Sequence, residues 1–249
     1  MFIHKLIVKE NLPPISANRQ TGGIILLGWS MGAGDVNNAI AHVDTLPSGV
    51  RTSLASYMRS MIVQGAFYLP RFKPHRDDIC LDSHRVMFGG SMEPKHYTPL
   101  IDDQIPPDDR LEKFSVWVSS YFQHGDLSTR SLDVLNWVEP STIHPATVNN
   151  MTTDEKKEII CISREPEYEV PYMVASQEQF ADAYRKAFFG DSARTLFPGF
   201  KASFLAGELS PAFAMSSYWM LENDIKETGK PFNLRFIPAS NHFVSLLQV

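Results

Sequence analysis

This sequence predicts an α/β protein with a parallel sheet of about four strands flanked by helices, on three observations. Short apolar runs alternate with helix-compatible stretches near both ends of the chain. The first of them, Gly22 to Gly28 (GGIILLG), is continuously apolar, which suits a parallel strand buried on both faces. Between the second and third runs lie roughly 130 residues, from Ala66 to Phe197, that abandon the alternation and so predict an insertion rather than more sheet.

At the N-terminus, Phe2 to Glu10 has helical character and gives way to a Pro/Asn loop before the GGIILLG strand. The tight turn GWSMG follows, and the small residues after it, up to about His42, predict a helix. A second helical stretch around Ser53 to Arg59 leads into a candidate strand at Ser60 to Gln64 (SMIVQ). The insertion opens irregularly, rich in Pro, Asp and His, and then shows helical spacing over 108–122, 129–138, 152–160 and 177–189. Asp108 and Thr152 are the candidate N-caps there, each followed by acidic residues that suit a helix N-terminus. The sheet resumes at Ala202 to Ala206 (ASFLA) and closes at Asn233 to Ile237 (NLRFI), with a helix over 214–227 between them. This organisation predicts a core of residues 1–65 and 198–249 and a mainly helical cap of residues 66–197.

Composition narrows the partners. A chain of 249 residues, 43% hydrophobic, can fill a sizeable core. The net charge is −5 and the 23 Lys and Arg are scattered, so neither nucleic acid nor a membrane surface is an expected partner. The apolar N-terminal run is broken by His4, Lys5 and Lys9, too short for a signal segment or a bilayer span. Cys80 and Cys161 have no CxxC or CxxH spacing, which argues against a disulfide framework or a zinc site and for a reducing, cytoplasmic compartment. No metal and no cofactor is expected. The pairs Asp77-Asp78 and Asp102-Asp103 lack metal-loop spacing and read as solvated.

The chemistry centres on Gly28-Trp29-Ser30-Met31-Gly32, a G-x-S-x-G pattern set between an apolar strand and a helix. A serine on a sharp strand-to-helix turn has a strained backbone and an exposed Oγ at the sheet's C-terminal edge. Small residues two before and two after it relieve crowding, and the helix N-terminus favours developing negative charge. Ser30 is the predicted nucleophile, and the backbone N–H of Met31 a predicted oxyanion-hole donor.

GIILLGWSMGAG resembles the nucleophile elbow of the α/β-hydrolase fold-1 family, and PASNHF, after the last predicted strand, is similar to that family's catalytic-histidine loop. Small capped fungal-type members look most alike. The resemblance runs in order from Gly22 to the C-terminus and implies a partial α/β-hydrolase fold. It also implies the chain order Ser, acid, His, which selects His242 as general base over the seven histidines that precede the third strand. The family's usual acid position falls on Ser210, which is not acidic. Glu208, in the same loop, is the candidate acid; Gln64-Gly65-Ala66 offers none, and Asp77 and Asp78 come too late.

What the resemblance implies is an acyl-enzyme hydrolase for a carboxylic ester, thioester or lactone, with a small-molecule acyl substrate. A serine nucleophile argues against epoxide-hydrolase and dehalogenase chemistry. A lyase or transacylase with the same triad stays open. Phe67, Tyr68, Trp117, Phe122 and Trp137 are candidate pocket walls. Only 29 residues precede Ser30, too few for the strands and second oxyanion loop that complete members carry there. The strand Ile24 to Leu27 is therefore expected to present a bare edge through which copies could pair into a homo-oligomer. A non-catalytic ligand-binding protein of the same fold is the second reading.

Overall fold

The structure, a computed structural model, describes residues 2–30, 32–64, 85–91, 93–159, 175–230 and 232–243. Its sheet has four parallel strands, β1 (Ile24–Trp29), β2 (Met58–Gln64), β3 (Lys201–Gly207) and β4 (Asn233–Ile237), in the spatial order β1-β2-β3-β4. Parallel neighbours need crossover connections. Helices α1 (Phe2–Lys9), α2 (Gly32–Ala41) and α3 (Ser48–Ala55) surround the first crossover. The second crossover is the insertion, with α4 (Pro107–Val118), α5 (Thr153–Ile159), α6 (Gln177–Tyr184) and α7 (Asp191–Leu196). The third is α8 (Ala212–Thr228), which stops at Gly229, whose φ of +64° lets its N–H cap Ile225 at 2.9 Å.

The core is built on β3. Its residues from Ala202 to Gly207 are all buried, and Phe204 pairs in register with Val63 on one side and Leu234 on the other. Phe204 also meets Tyr218 of α8, and Tyr218 in turn stacks on Phe236 of β4 at 3.8 Å. The insertion contributes to the same apolar cluster through Met87, Phe88, Trp117, Phe122, Phe180 and Phe188. Helix α6 approaches α2 so closely that a Cβ on Gly34 would lie 2.6 Å from the Phe180 ring. Arg130 forks onto Glu222 of α8, Nε to Oε2 at 2.9 Å and Nη2 to Oε1 at 3.1 Å, and holds that carboxyl below its usual range.

Several expectations change. Strand β1 is not buried on both faces: Leu26 is half-buried and Gly28 fully buried, while Ile25, Leu27 and Trp29 on the other face are 47%, 36% and 43% exposed. Among the described residues it is the edge strand of the sheet, and α2 packs on the Gly28 face, where Val36 approaches. The helix before β2 is Ser48–Ala55, entered directly after Pro47, and β2 starts at Met58 rather than Ser60. Helix α4 starts at Pro107 with Pro106 at the N-cap, so Asp108 sits in the first turn instead of capping it. Thr152 does cap α5: its Oγ1 accepts from Glu155 N at 3.3 Å and Glu155 Oε2 accepts from Thr152 N at 2.7 Å, a reciprocal capping box. The stretch 129–138 is no α-helix but holds short 3₁₀ turns, the second at Leu132–Val134 after another at Leu127–Thr129. Asp126 and Ser131 each cap one of them, and Arg130, left-handed at φ +57°, breaks the chain between.

Candidate active site

Parallel strands deliver their C-terminal ends to one edge of the sheet, and the loops after β1, β3 and β4 carry the candidate residues there. Ser30 directly follows β1, half-buried, with its backbone at φ +48°. A non-glycine residue in that region is costly, about 1–3 kcal/mol, and persists only where its surroundings enforce it. They do here. The Ser30 carbonyl accepts the first bond of α2, from Ala33 N at 3.1 Å, while β1 fixes the residue before it. Gly28 makes the bend possible, because a Cβ there would lie 2.3 Å from the Gly32 oxygen and 2.9 Å from Val36 Cγ2. At Gly32 a Cβ would meet nothing within 4 Å, so only the first of the two expected small-residue requirements is steric. Met31, the expected oxyanion donor, lies outside the described residues.

The histidine loop begins on the opposite edge of the sheet and turns inward. Strands about 4.8 Å apart put β1 and β4 roughly 14 Å from one another. The segment after β4 spans that gap: Glu208 N donates to Ile237 O at 3.0 Å, Leu209 N to Ser240 O at 2.8 Å, and the Phe243 ring meets Trp29 edge-on at 5.9 Å. Trp29 precedes Ser30 and Phe243 follows His242, so the two loops that bear the predicted nucleophile and base meet through these rings. His242 is 1% exposed, with Phe213 at 5.4 Å and Phe243 at 5.8 Å, both edge-on to its imidazole. Ala239, in the turn before it, is also left-handed, at φ +55°.

Glu208 joins the same turn by another route. Its side chain is exposed, and its Oε2 accepts from the backbone N–H of Ala239 at 3.3 Å. The carboxylate thus braces the histidine turn through the backbone. Ser210 is fully buried, and among the described residues its Oγ has no hydrogen-bond partner. A second carboxylate that sequence reasoning did not single out, Glu93, is 5% exposed and bonds the Ser216 hydroxyl, with Arg85 at 3.6 Å.

The insertion hydrogen-bonds the loops after β3 and β4. Phe122 N donates to Leu209 O at 2.8 Å. His124 lies between Asn136 N, which donates to its Nδ1 at 3.1 Å, and Ser210 O, 2.8 Å from its Nε2, so the proton sits on Nε2. Burial pushes the pKa of this imidazole down, opposed in part by its bond to Ser210. Asn241, fully buried, reaches Ser119 O at 2.6 Å and Thr147 Oγ1 at 2.8 Å through its amide nitrogen. These partners lie 122 and 94 residues away in sequence, and nothing local in PASNHF announces them.

Of the expected wall residues, Trp117, Phe122 and Trp137 belong to the buried core, at 6%, 0% and 7% exposure, while Phe67 and Tyr68 lie outside the described residues. Asp102 is not merely solvated: it accepts from Tyr97 Oη at 3.0 Å and from Gln104 N at 2.9 Å. Asp103 is exposed, and Asp77 and Asp78 are among the residues not described. Cavities of about 220 and 240 Å³ lie elsewhere, one against α1 and β1 around Leu26, the other at the start of β3 around Ala202 and Asn233. Among the described residues no helix is long and apolar enough to cross a membrane, and no group of three or more His, Cys, Asp or Glu side chains converges. Comparison with protein families, with curated proteins and with solved structures finds no match to this chain.

Proposed function

We propose that the chain is a serine hydrolase of the capped α/β-hydrolase type, acting on a small carboxylic ester, thioester or lactone in a reducing, cytoplasmic compartment. The observation that carries this reading is the left-handed Ser30 between a parallel strand and a helix N-terminus, at the edge of the sheet where the His242 loop arrives. His242 takes the Ser30 hydroxyl proton as Oγ attacks the substrate carbonyl carbon. The oxyanion is held by the Met31 N–H and the α2 N-terminus. Collapse expels the alcohol or thiol, which leaves with the proton from the imidazolium. Water then gives a proton to His242 and attacks the acyl-enzyme carbonyl, and the imidazolium returns that proton to Ser30 Oγ as the carboxylic acid leaves. Glu208 supplies negative charge beside the histidine turn, and the insertion covers the site as a cap.

Labelling with a fluorophosphonate tests this directly. Wild-type protein is expected to take up the probe on Ser30, and Ser30→Ala to lose it by a factor on the order of 10⁴ or more while keeping its fold. Equal uptake by the variant removes Ser30 from the mechanism. Glu208→Gln is expected to slow labelling more than Ser210→Ala. A second reading, an α/β-hydrolase-like binding protein without turnover, is favoured by one observation, that Glu208 bonds the Ala239 backbone. Folded wild-type protein that never reacts with the probe would support it.

A further inference from the structure

We propose that Asn241 is a positioning residue for His242, and that through it the turn at the end of α4 and residues 147–148 of the insertion set where the base stands; this rests on the serine-hydrolase reading above. The Asn241 amide is fully committed. Its Nδ2 donates one hydrogen to Ser119 O at 2.6 Å and one to Thr147 Oγ1 at 2.8 Å, and its Oδ1 accepts from Phe243 N at 2.8 Å. The last of these closes a ring across His242, from the side chain before it to the backbone N–H after it, which restricts the backbone that carries the imidazole.

The other end of the clamp is rigid. Ser119 and Thr147 are 0% and 3% exposed, and Ser119 O also accepts from Thr147 N at 2.8 Å. Ser119 Oγ donates to Ser115 O at 2.8 Å, inside α4, and accepts from Val148 N at 3.3 Å. Displacing His242 therefore breaks buried hydrogen bonds rather than surface bonds that bulk water can replace. The amide cannot be turned over, because its oxygen would then face the Ser119 carbonyl. A carboxylate would do the same with charge added. The geometry ties a base loop on one edge of the sheet to a helix of the insertion more than a hundred residues earlier in the chain, so the insertion acts on catalysis without touching substrate.

Four variants test this by fluorophosphonate labelling of Ser30, thermal unfolding and hydrogen exchange at the Phe243 amide. Asn241→Ala is expected to slow labelling on the order of 10²-fold, as an ångström-scale misplacement of a base does, and Asn241→Asp at least as much. Thr147→Val, which removes one acceptor, is expected to slow it about 3–10-fold. Thr147→Ser, which keeps the hydroxyl, should restore the wild-type rate. All are compared well below their melting temperatures, where a purely structural role predicts lower melting with unchanged labelling. Should Asn241→Ala fail to fold, the Thr147 pair decides. A folded Thr147→Val that labels within twofold of wild type overturns the proposal. Inert wild-type protein instead overturns the hydrolase reading, and the exchange rate at Phe243 still reports whether the clamp exists, being expected to rise in Asn241→Ala and Thr147→Val.

Discussion

A methyl group on Gly28 would press against the Gly32 backbone oxygen at 2.3 Å, with no flexible side chain there to yield. Gly28→Ala is expected to cost about 1–3 kcal/mol in denaturant unfolding and to abolish probe labelling, since the strain falls on the Ser30 turn. Gly32→Ala, in open space at the start of α2, should be neutral or gain up to about 1 kcal/mol. Single residues also carry a pH dependence. His124 accepts from Asn136 N, so a second proton would set two N–H groups against each other. Burial lowers the pKa of both His124 and His96 below the ordinary 6.5. Between those lowered values and 6.5 the unfolded chain binds more protons than the folded one, so stability is full above about 6.5 and falls as pH drops through that window. Melting temperature is expected to fall between pH 7.5 and 5.5, with a shallower slope in His124→Gln; an unchanged slope would remove His124 from the effect. Ser30 and His242 could be singled out in the sequence because a local motif and chain order mark them. Asn241 could not, because its meaning lies in partners on the distant insertion.

At the scale of elements, strands were easier to locate than to orient in their surroundings. β3 and β4 stand within a residue or two of their apolar runs, since each run is bounded by residues that stop a strand. The burial of β1 could not be inferred, because IILL is apolar on both faces whether or not a neighbour covers them. Helices with a clear stop or cap were legible: α8 ends at Gly229 and α5 carries its capping box. Residues 129–138 suggest a helix because Leu132, Leu135 and Val138 fall three apart and imitate helical spacing, while Asp126 and Ser131 commit their side chains to short turns. β1 also gives an element-scale prediction. Its outer edge has no strand beside it in the described sheet, and Ile25, Leu27 and Trp29 line one face. An apolar edge of this kind favours pairing between copies. Sedimentation velocity is expected to show self-association that Leu27→Lys weakens; a monomer at all concentrations would refute it.

Taken across the described residues, the fold is a four-stranded parallel sheet with flanking helices, and the insertion shares its core. The α/β class was legible because strand and helix patterns alternate at the two ends of the chain. That the insertion hydrogen-bonds the loops after β3 and β4 was not, since such contacts depend on where the crossover comes to rest. The strand order has a further consequence, in time rather than energy. β2 pairs with β3, yet 136 residues, 65 to 200, separate them. At a synthesis rate of about 5–20 residues per second, β1 and β2 wait roughly 7–27 s on the ribosome before β3 is made. During that interval the Val63 side of β2 is as bare as the outer side of β1, and a two-stranded sheet is marginal by itself. Slower translation of the insertion lengthens the time for which both strand edges stand bare.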